Sequence, residues 1–133
     1  GACRAWKVAA LSPHVSAAVA QNWMATYAGL MVPGNNQLRG QSAYYMTHPG
    51  LPRLLDYPDV AALAAPKPML IHAGSDDALF PVHSVEAAFA KMHRVWDAYG
   101  AGPALTTVMW QGVGHRFPAE AQDAAVDWLD ALV

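Results

Sequence analysis

Two short loops carry the residue types that acid–base chemistry needs. GSDDALFP (74–81) offers two carboxylates, Asp76 and Asp77, and QGVGHRF (111–117) offers a histidine, His115, between a glycine and an arginine. A carboxylate that accepts a hydrogen bond from one imidazole nitrogen fixes the tautomer, and the other nitrogen can then take a proton from a nucleophile. Order matters too: an acid followed by a histidine closes a triad whose nucleophile comes first in the chain. Taken singly, Asp77 reads as a turn former or helix cap, and His115 as a surface-loop histidine or a helix cap. It is the pair, each member following an apolar run, that points to catalysis.

Those apolar runs define the elements that must hold the two loops. Residues 2–11 are rich in alanine, with Trp6 and Leu11 among them, and read as a helix. Ser12-Pro13 stops it, because the residue before a proline avoids helical dihedrals. VSAAVA (15–20) reads as a strand buried on both faces. Residues 21–57 turn rich in Gly, Pro, Asn, Tyr and Met and suit an irregular excursion with short helices. Asp59 is expected to cap a short helix, VAALAA, that ends at Pro66. PMLIHAG (68–74) is the second strand. Over 82–99, Val85, Phe89, Met92, Trp96 and Tyr99 fall on one helical stripe, and Gly100 ends the helix. ALTTVMW (104–110) is the third strand, and Pro118 opens a last helix with Ala121, Ala125, Trp128 and Leu132 on one face. Alternation of strand and helix implies an α/β fold with a parallel sheet and right-handed crossovers. In such a sheet ligands gather at the carboxyl ends of the strands, where both loops lie.

Composition narrows the function classes. The 133 residues are 54% hydrophobic and 14% charged, which describes one globular domain and not a disordered chain. A net charge of −2 with scattered basic residues gives no stripe for a phosphate backbone, so no nucleic-acid partner is expected. No apolar run approaches membrane-spanning length, and no membrane partner is expected either. A single cysteine, Cys3, forbids an intrachain disulfide. His14, His48, His83 and His93 lack metal-ligand spacing, so neither a metal nor another cofactor is expected. His72, inside the second strand, reads as a satisfied core histidine. Arg116 reads as a solvated side chain or a helix-start contact, with a fork for a substrate carboxylate as the alternative.

PKPMLIHAGSDDALFPVHSVEAAF, followed by a strand, GVGHRF and a closing helix, resembles the C-terminal half of an α/β-hydrolase of the dienelactone hydrolase or acetyl xylan esterase type. In that family a glycine is followed, after two residues, by the acid, then by a small residue or proline, an apolar pair and a proline. Gly74, Asp77, Ala78, Leu79, Phe80 and Pro81 match, which selects Asp77 over Asp76. The family's histidine follows a glycine after the last strand, here Gly114-His115. The resemblance implies an ester hydrolase with a Ser-His-Asp triad and a small-molecule ester substrate; lactonase and peptidase activities share the fold. It also makes 21–57 a candidate cap, in which Trp23, Met24, Tyr27 and Tyr44, with Met31, Tyr45 and Met46, would line an acyl or alcohol pocket. Ordinary packing of these residues on the sheet is the equal alternative.

The nucleophile of this fold stands in G-x-S-x-G on a strained strand-to-helix turn, and none of the five serines lies in that motif. GQSAY around Ser42 comes nearest, but it lacks the last glycine and reads as a helix N-cap. Cys3 in GACRA is the alternative nucleophile, since dienelactone hydrolases use cysteine in G-x-C-x-G and a helix start acidifies a thiol. Ala5 stands where the last glycine belongs. A better match makes Gly1 the last glycine of an elbow whose serine lies two residues upstream, with Cys3 left to packing. The expectation is then a partial α/β-hydrolase domain: three parallel strands with flanking helices, needing its N-terminal half for the oxyanion hole, for activity and for full stability. The alternative from another class is a non-catalytic α/β scaffold or binding module that has lost its nucleophile.

Overall fold

A computed structural model describes residues 1–32 and 48–133. Ser42, Tyr44, Tyr45 and Met46 lie outside the described residues. Three parallel strands form the sheet: β1 (Ala18–Gln21), β2 (Met69–Gly74) and β3 (Leu105–Trp110), in the order β1-β2-β3. Ala18 lies opposite Met69 and Gln21 opposite His72; on the other side of β2, Met69 faces Leu105 and Gly74 faces Trp110. The central strand is buried along its whole length, as a parallel strand covered on both faces must be.

Side chains alternate across a strand, so this register sorts the sheet into two faces. One face carries Ala18 and Ala20, Met69, Ile71 and Ala73, and Leu105; it packs against α1 (Ala2–Leu11) and α4 (Val82–Ala98) in a single core with Trp6, Ala9, Val85, Ala88, Met92 and Trp96. The other face carries Val19, Gln21, Leu70, His72, Thr106, Val108 and Trp110 and meets α5 (Ala119–Asp130). Hydrogen bonds confirm the sorting. His93 Nε2 on α4 bonds to Thr107 Oγ1 at 2.9 Å, while Trp128 Nε1 on α5 donates to Thr106 Oγ1, the neighbouring residue on the opposite face, at 3.2 Å.

Between β1 and β2 run α2 (Tyr27–Leu30), a 3₁₀ turn at Leu51–Arg53 and α3 (Tyr57–Ala62). The cap of α3 is Asp56, not Asp59: Asp56 Oδ1 accepts from Tyr57 N–H at 2.7 Å, and Asp59 at the third helical position accepts from Asp56 N–H at 2.8 Å. Asp59 is therefore the second half of a capping box, and the helix starts three residues earlier than expected. Asp56 Oδ1 also accepts from Tyr27 N–H at 2.7 Å, so one carboxylate ties α2 to α3. The end of α1 is held in a similar way. Lys67 Nζ donates to the carbonyls of Ala9 and Ser12 at 2.8 and 2.7 Å, joining that end to the segment that enters β2.

Three further expectations shift. β1 begins at Ala18 and alternates buried with half-buried, because a strand paired on one side only is not sealed on both faces. Tyr99 leaves the α4 stripe: the helix ends at Ala98 and Gly100 turns the chain with φ +68°, which swings Tyr99 into solvent. Leu132 lies beyond the end of α5 and is exposed.

Trp96 and Tyr99 thus form a matched pair of aromatics one turn apart, 0% and 64% exposed. Trp96→Ala is expected to cost about 3–5 kcal/mol of unfolding free energy, and Tyr99→Ala less than about 0.5 kcal/mol. Urea unfolding curves of the two variants check this; similar midpoints would contradict the burial assigned to α4.

Candidate active site

Parallel strands end at the same rim of the sheet, so the segments after β1, β2 and β3 are brought side by side there. After β2 the chain turns through Ser75–Pro81, and after β3 through Gln111–Pro118. Gly74 lets these two turns touch: a Cβ at that position would run into the backbone carbonyl of Val113. In its place two backbone links form, from Ser75 N–H to Trp110 O at 2.9 Å and from Asp76 N–H to Val113 O at 3.0 Å. A third runs from Gly112 N–H to Ser75 Oγ at 2.8 Å.

This contact brings Asp77 and His115 together across 38 residues of sequence: His115 Nδ1 and Asp77 Oδ2 are 2.8 Å apart. An ionised carboxylate only accepts, so Nδ1 carries the proton, and in the neutral imidazole Nε2 is then the nitrogen with the free lone pair. The two side chains differ sharply in exposure, 1% for Asp77 against 48% for His115. The other oxygen, Asp77 Oδ1, accepts from Leu79 N–H at 2.9 Å. Phe80 stacks on the imidazole with ring centroids 5.9 Å apart and planes 17° apart. Chemically the arrangement is a buried acceptor that orients a half-exposed base. Asp76 takes a different part: its Oδ1 accepts from Ser75 Oγ–H at 2.9 Å, and its side chain is turned to the loop surface.

Sequence reasoning missed Asn22. It follows β1 in the left-handed backbone region, φ +56°, which asparagine tolerates better than most residues. Its backbone N–H donates to His72 O at 2.8 Å and extends the ladder between β1 and β2. Its side-chain Nδ2 donates to Gly114 O at 3.3 Å and to Arg116 O at 2.9 Å, the two carbonyls that flank His115. Gln21 Nε2 donates to Asn22 Oδ1 at 2.7 Å and to Arg116 O at 3.1 Å. The one sequence signal was an asparagine just past a strand end.

The remaining candidates fall elsewhere. Trp23 and Met24 are closed into the core, at 7% and 1% exposure. Trp23 meets Phe80 edge-on at 5.5 Å, so it stands behind the ring that stacks on His115. Tyr27 borders a surface cavity of about 320 Å³ with Arg53, Asp56, Asp59 and Lys91; neither Asp77 nor His115 lines that cavity. Burial alone would raise the Asp59 pKa, but the hydrogen bond and charge of Lys91, 2.7 Å away, and the Asp56 N–H hold it below the usual carboxylate range. Cys3 sits in the first turn of α1, half-buried against the core, and no hydrogen bond joins it to Asp77 or His115. Arg116 contributes its carbonyl to the loop, while its side chain is exposed.

His72 is buried, as expected, but not satisfied: its Nδ1 has no hydrogen-bond partner among the described residues, and it packs edge-on against Trp110 and Phe117 at 5.5 and 6.3 Å.

Among known structures, the chain is similar to a carbohydrate esterase family 15 glucuronoyl esterase from Caldicellulosiruptor kristjansonii, with a TM-score of 0.72 and 18% identity, over 97% of this chain and 40% of that one. The glucuronoyl esterase catalytic domain from Hypocrea jecorina gives a TM-score of 0.71 and 19% identity over 97% and 41% of the two chains. A glucuronoyl esterase from Sporotrichum thermophile, in complex with methyl 4-O-methyl-β-D-glucopyranuronate, gives 0.70 and 18% over 97% and 40%. No protein-family model and no curated protein sequence matches the chain. The fold is that of an α/β-hydrolase. The chain spans about 40% of the length of the first of these structures.

Burial disfavours the charged imidazole and holds the His72 pKa below the usual value of about 6.5. The unfolded chain therefore binds this proton more readily than the folded one. Titration of His72 costs no stability above about pH 6.5, and stability is lost as the pH falls below that value, until the folded pKa is passed. Urea midpoints are expected to drop from pH 7 to pH 5, and to drop less in His72→Phe, which keeps the ring contacts. An identical drop in both proteins would show that His72 is not the group responsible.

Proposed function

We propose that the protein is a carboxylic ester hydrolase in which His115 is the general base and Asp77 its orienting acid, with a serine on the turn into α1, two residues before Gly1, as the nucleophile. The observation that carries this reading is the 2.8 Å hydrogen bond between a half-exposed imidazole and a buried carboxylate at the carboxyl-end rim of a parallel sheet. Two features support it: the G-x-x-D and G-H spacings, and the likeness to structures described as esterases.

In this mechanism His115 Nε2 takes the hydroxyl proton as the serine oxygen attacks the ester carbonyl. The imidazolium, steadied by Asp77, returns that proton to the departing alcohol. Water then attacks the acyl-enzyme with the same base assisting, and the carboxylic acid leaves. The buried position of Asp77 suits its part, because hydrogen bonds to an acceptor shielded from water hold an imidazole more firmly than solvated ones. The small-ester substrate class expected from the resemblance includes the methyl uronate bound by one structural neighbour. Trp23 then acts through Phe80, behind the imidazole.

The complete polypeptide is expected to hydrolyse p-nitrophenyl acetate and a methyl glucuronate ester. His115→Ala is expected to lower kcat by about 10⁶-fold and Asp77→Asn by about 10⁴-fold. Steady-state kinetics on the three proteins check this, with thermal unfolding as a control for folding. Equal rates in wild type and His115→Ala would remove the imidazole from the mechanism.

A further inference from the structure

His115 sits at the apex of a very tight turn. Arg116 N–H donates to Gly114 O at 2.8 Å, an i to i+2 bond that reverses the chain around this one residue. A three-residue turn on a loop has little stiffness of its own, so the imidazole's position depends on what holds the two carbonyls at the ends of the turn. Both are held by one side chain. Asn22 Nδ2 reaches Gly114 O at 3.3 Å and Arg116 O at 2.9 Å, which uses both of its N–H groups.

The clamp is itself fixed at three points. Asn22 Oδ1 accepts from Gln21 Nε2 at 2.7 Å, its backbone N–H donates to His72 O at 2.8 Å, and its residue is buried. Its left-handed backbone, φ +56°, aims the amide from the end of β1 across the rim instead of along the strand direction. On the opposite side, the turn after β2 holds the same loop through Val113 O and Gly112 N–H.

From this we infer that Asn22 is a positioning residue for His115: it fixes the turn that carries the imidazole, and so sets the Nδ1 to Asp77 distance, without touching substrate. The consequence for rate rests on the ester hydrolase reading above; the consequence for geometry does not. Asparagine meets the requirement more closely than its neighbours in size. Aspartate would set a carboxylate against two carbonyl oxygens with nothing to donate, and leucine would take one donor from each carbonyl, leaving Gly114 O with the Arg116 N–H alone and Arg116 O with Gln21 Nε2 alone.

The test uses the complete polypeptide with Asn22→Ala and Asn22→Gly. Glycine accepts the positive φ at no cost, so it removes the amide without straining the backbone. Two readouts are taken: kcat and KM on p-nitrophenyl acetate, and the low-field proton resonance of His115 Nδ1–H, assigned by its disappearance in His115→Ala. In both variants kcat is expected to fall about a hundredfold, the scale of a misplacement near 1 Å, with KM within about twofold of wild type. The resonance is expected to broaden or vanish while the thermal transition stays cooperative. Wild-type kcat with a sharp resonance in Asn22→Gly would overturn the inference. So would loss of the fold in both variants, since Asn22 would then hold the domain and not the imidazole. An inactive wild type whose resonance is still lost on removing Asn22 would overturn the ester hydrolase reading and leave the positioning role standing.

Discussion

The carboxylate of Asp77 is the group around which the rim of the sheet is arranged. A carboxylate removed from water needs a donor at each oxygen, or it costs the fold several kcal/mol. One donor is local, the Leu79 N–H two residues on. The other comes from His115, which lies after the next strand, and it arrives only if two separate turns are pressed together. Gly74 permits that approach, and the links from Ser75 and Asp76 to Trp110 and Val113 maintain it. The demand of one buried group thus fixes the relation of β2, β3 and both connecting turns at their shared end.

The same rim is tied on its other side to β1. Gln21 and Asn22 hold the flanks of His115 by side-chain amides, so the histidine loop, which follows β3, is bonded to the ends of both β1 and β2. Behind it runs a line of rings: His115 on Phe80, Phe80 against Trp23, and Trp23 against Trp6 and Tyr57. The aromatic residues that a pocket-centred view would place around substrate therefore connect the imidazole to α1 and α3. Rigid packing of this kind suits the role proposed for His115, a base whose usefulness depends on being held within a fraction of an ångström.

Chain order and spacing made much of this legible. The glycine-x-x-aspartate motif of the family the chain resembles distinguished Asp77 from Asp76, and the structure pairs Asp77 with His115 while the Asp76 carboxylate accepts from its neighbour Ser75. Periodicity placed α4 and α5 and both longer strands within a residue or two, because burial of a single stripe leaves a strong signal. The cap of α3 went to Asp59 because Asp56 and Asp59 are both good caps, and only the N–H groups they reach distinguish them. Tyr99 was assigned to the core because a stripe continues on paper past the residue where Gly100 breaks the helix. His72 was expected to be satisfied, yet neither burial nor bonding partners can be inferred from a strand position alone.

The sequence by itself determined what depends on near neighbours: the alternation of strands and helices, the α/β class, and the two loops that hold an acid and a base. These follow from periodicity, turn residues and short motifs, all of which act over a few residues. Only the tertiary structure decided that Asn22, 93 positions before His115 in the numbering, bears on the same turn. That contact depends on parallel register, which brings the ends of β1 and β3 to one rim although β2 lies between them. A hydrogen bond of this kind has no local pattern to announce it, because its partners are backbone carbonyls that every residue possesses.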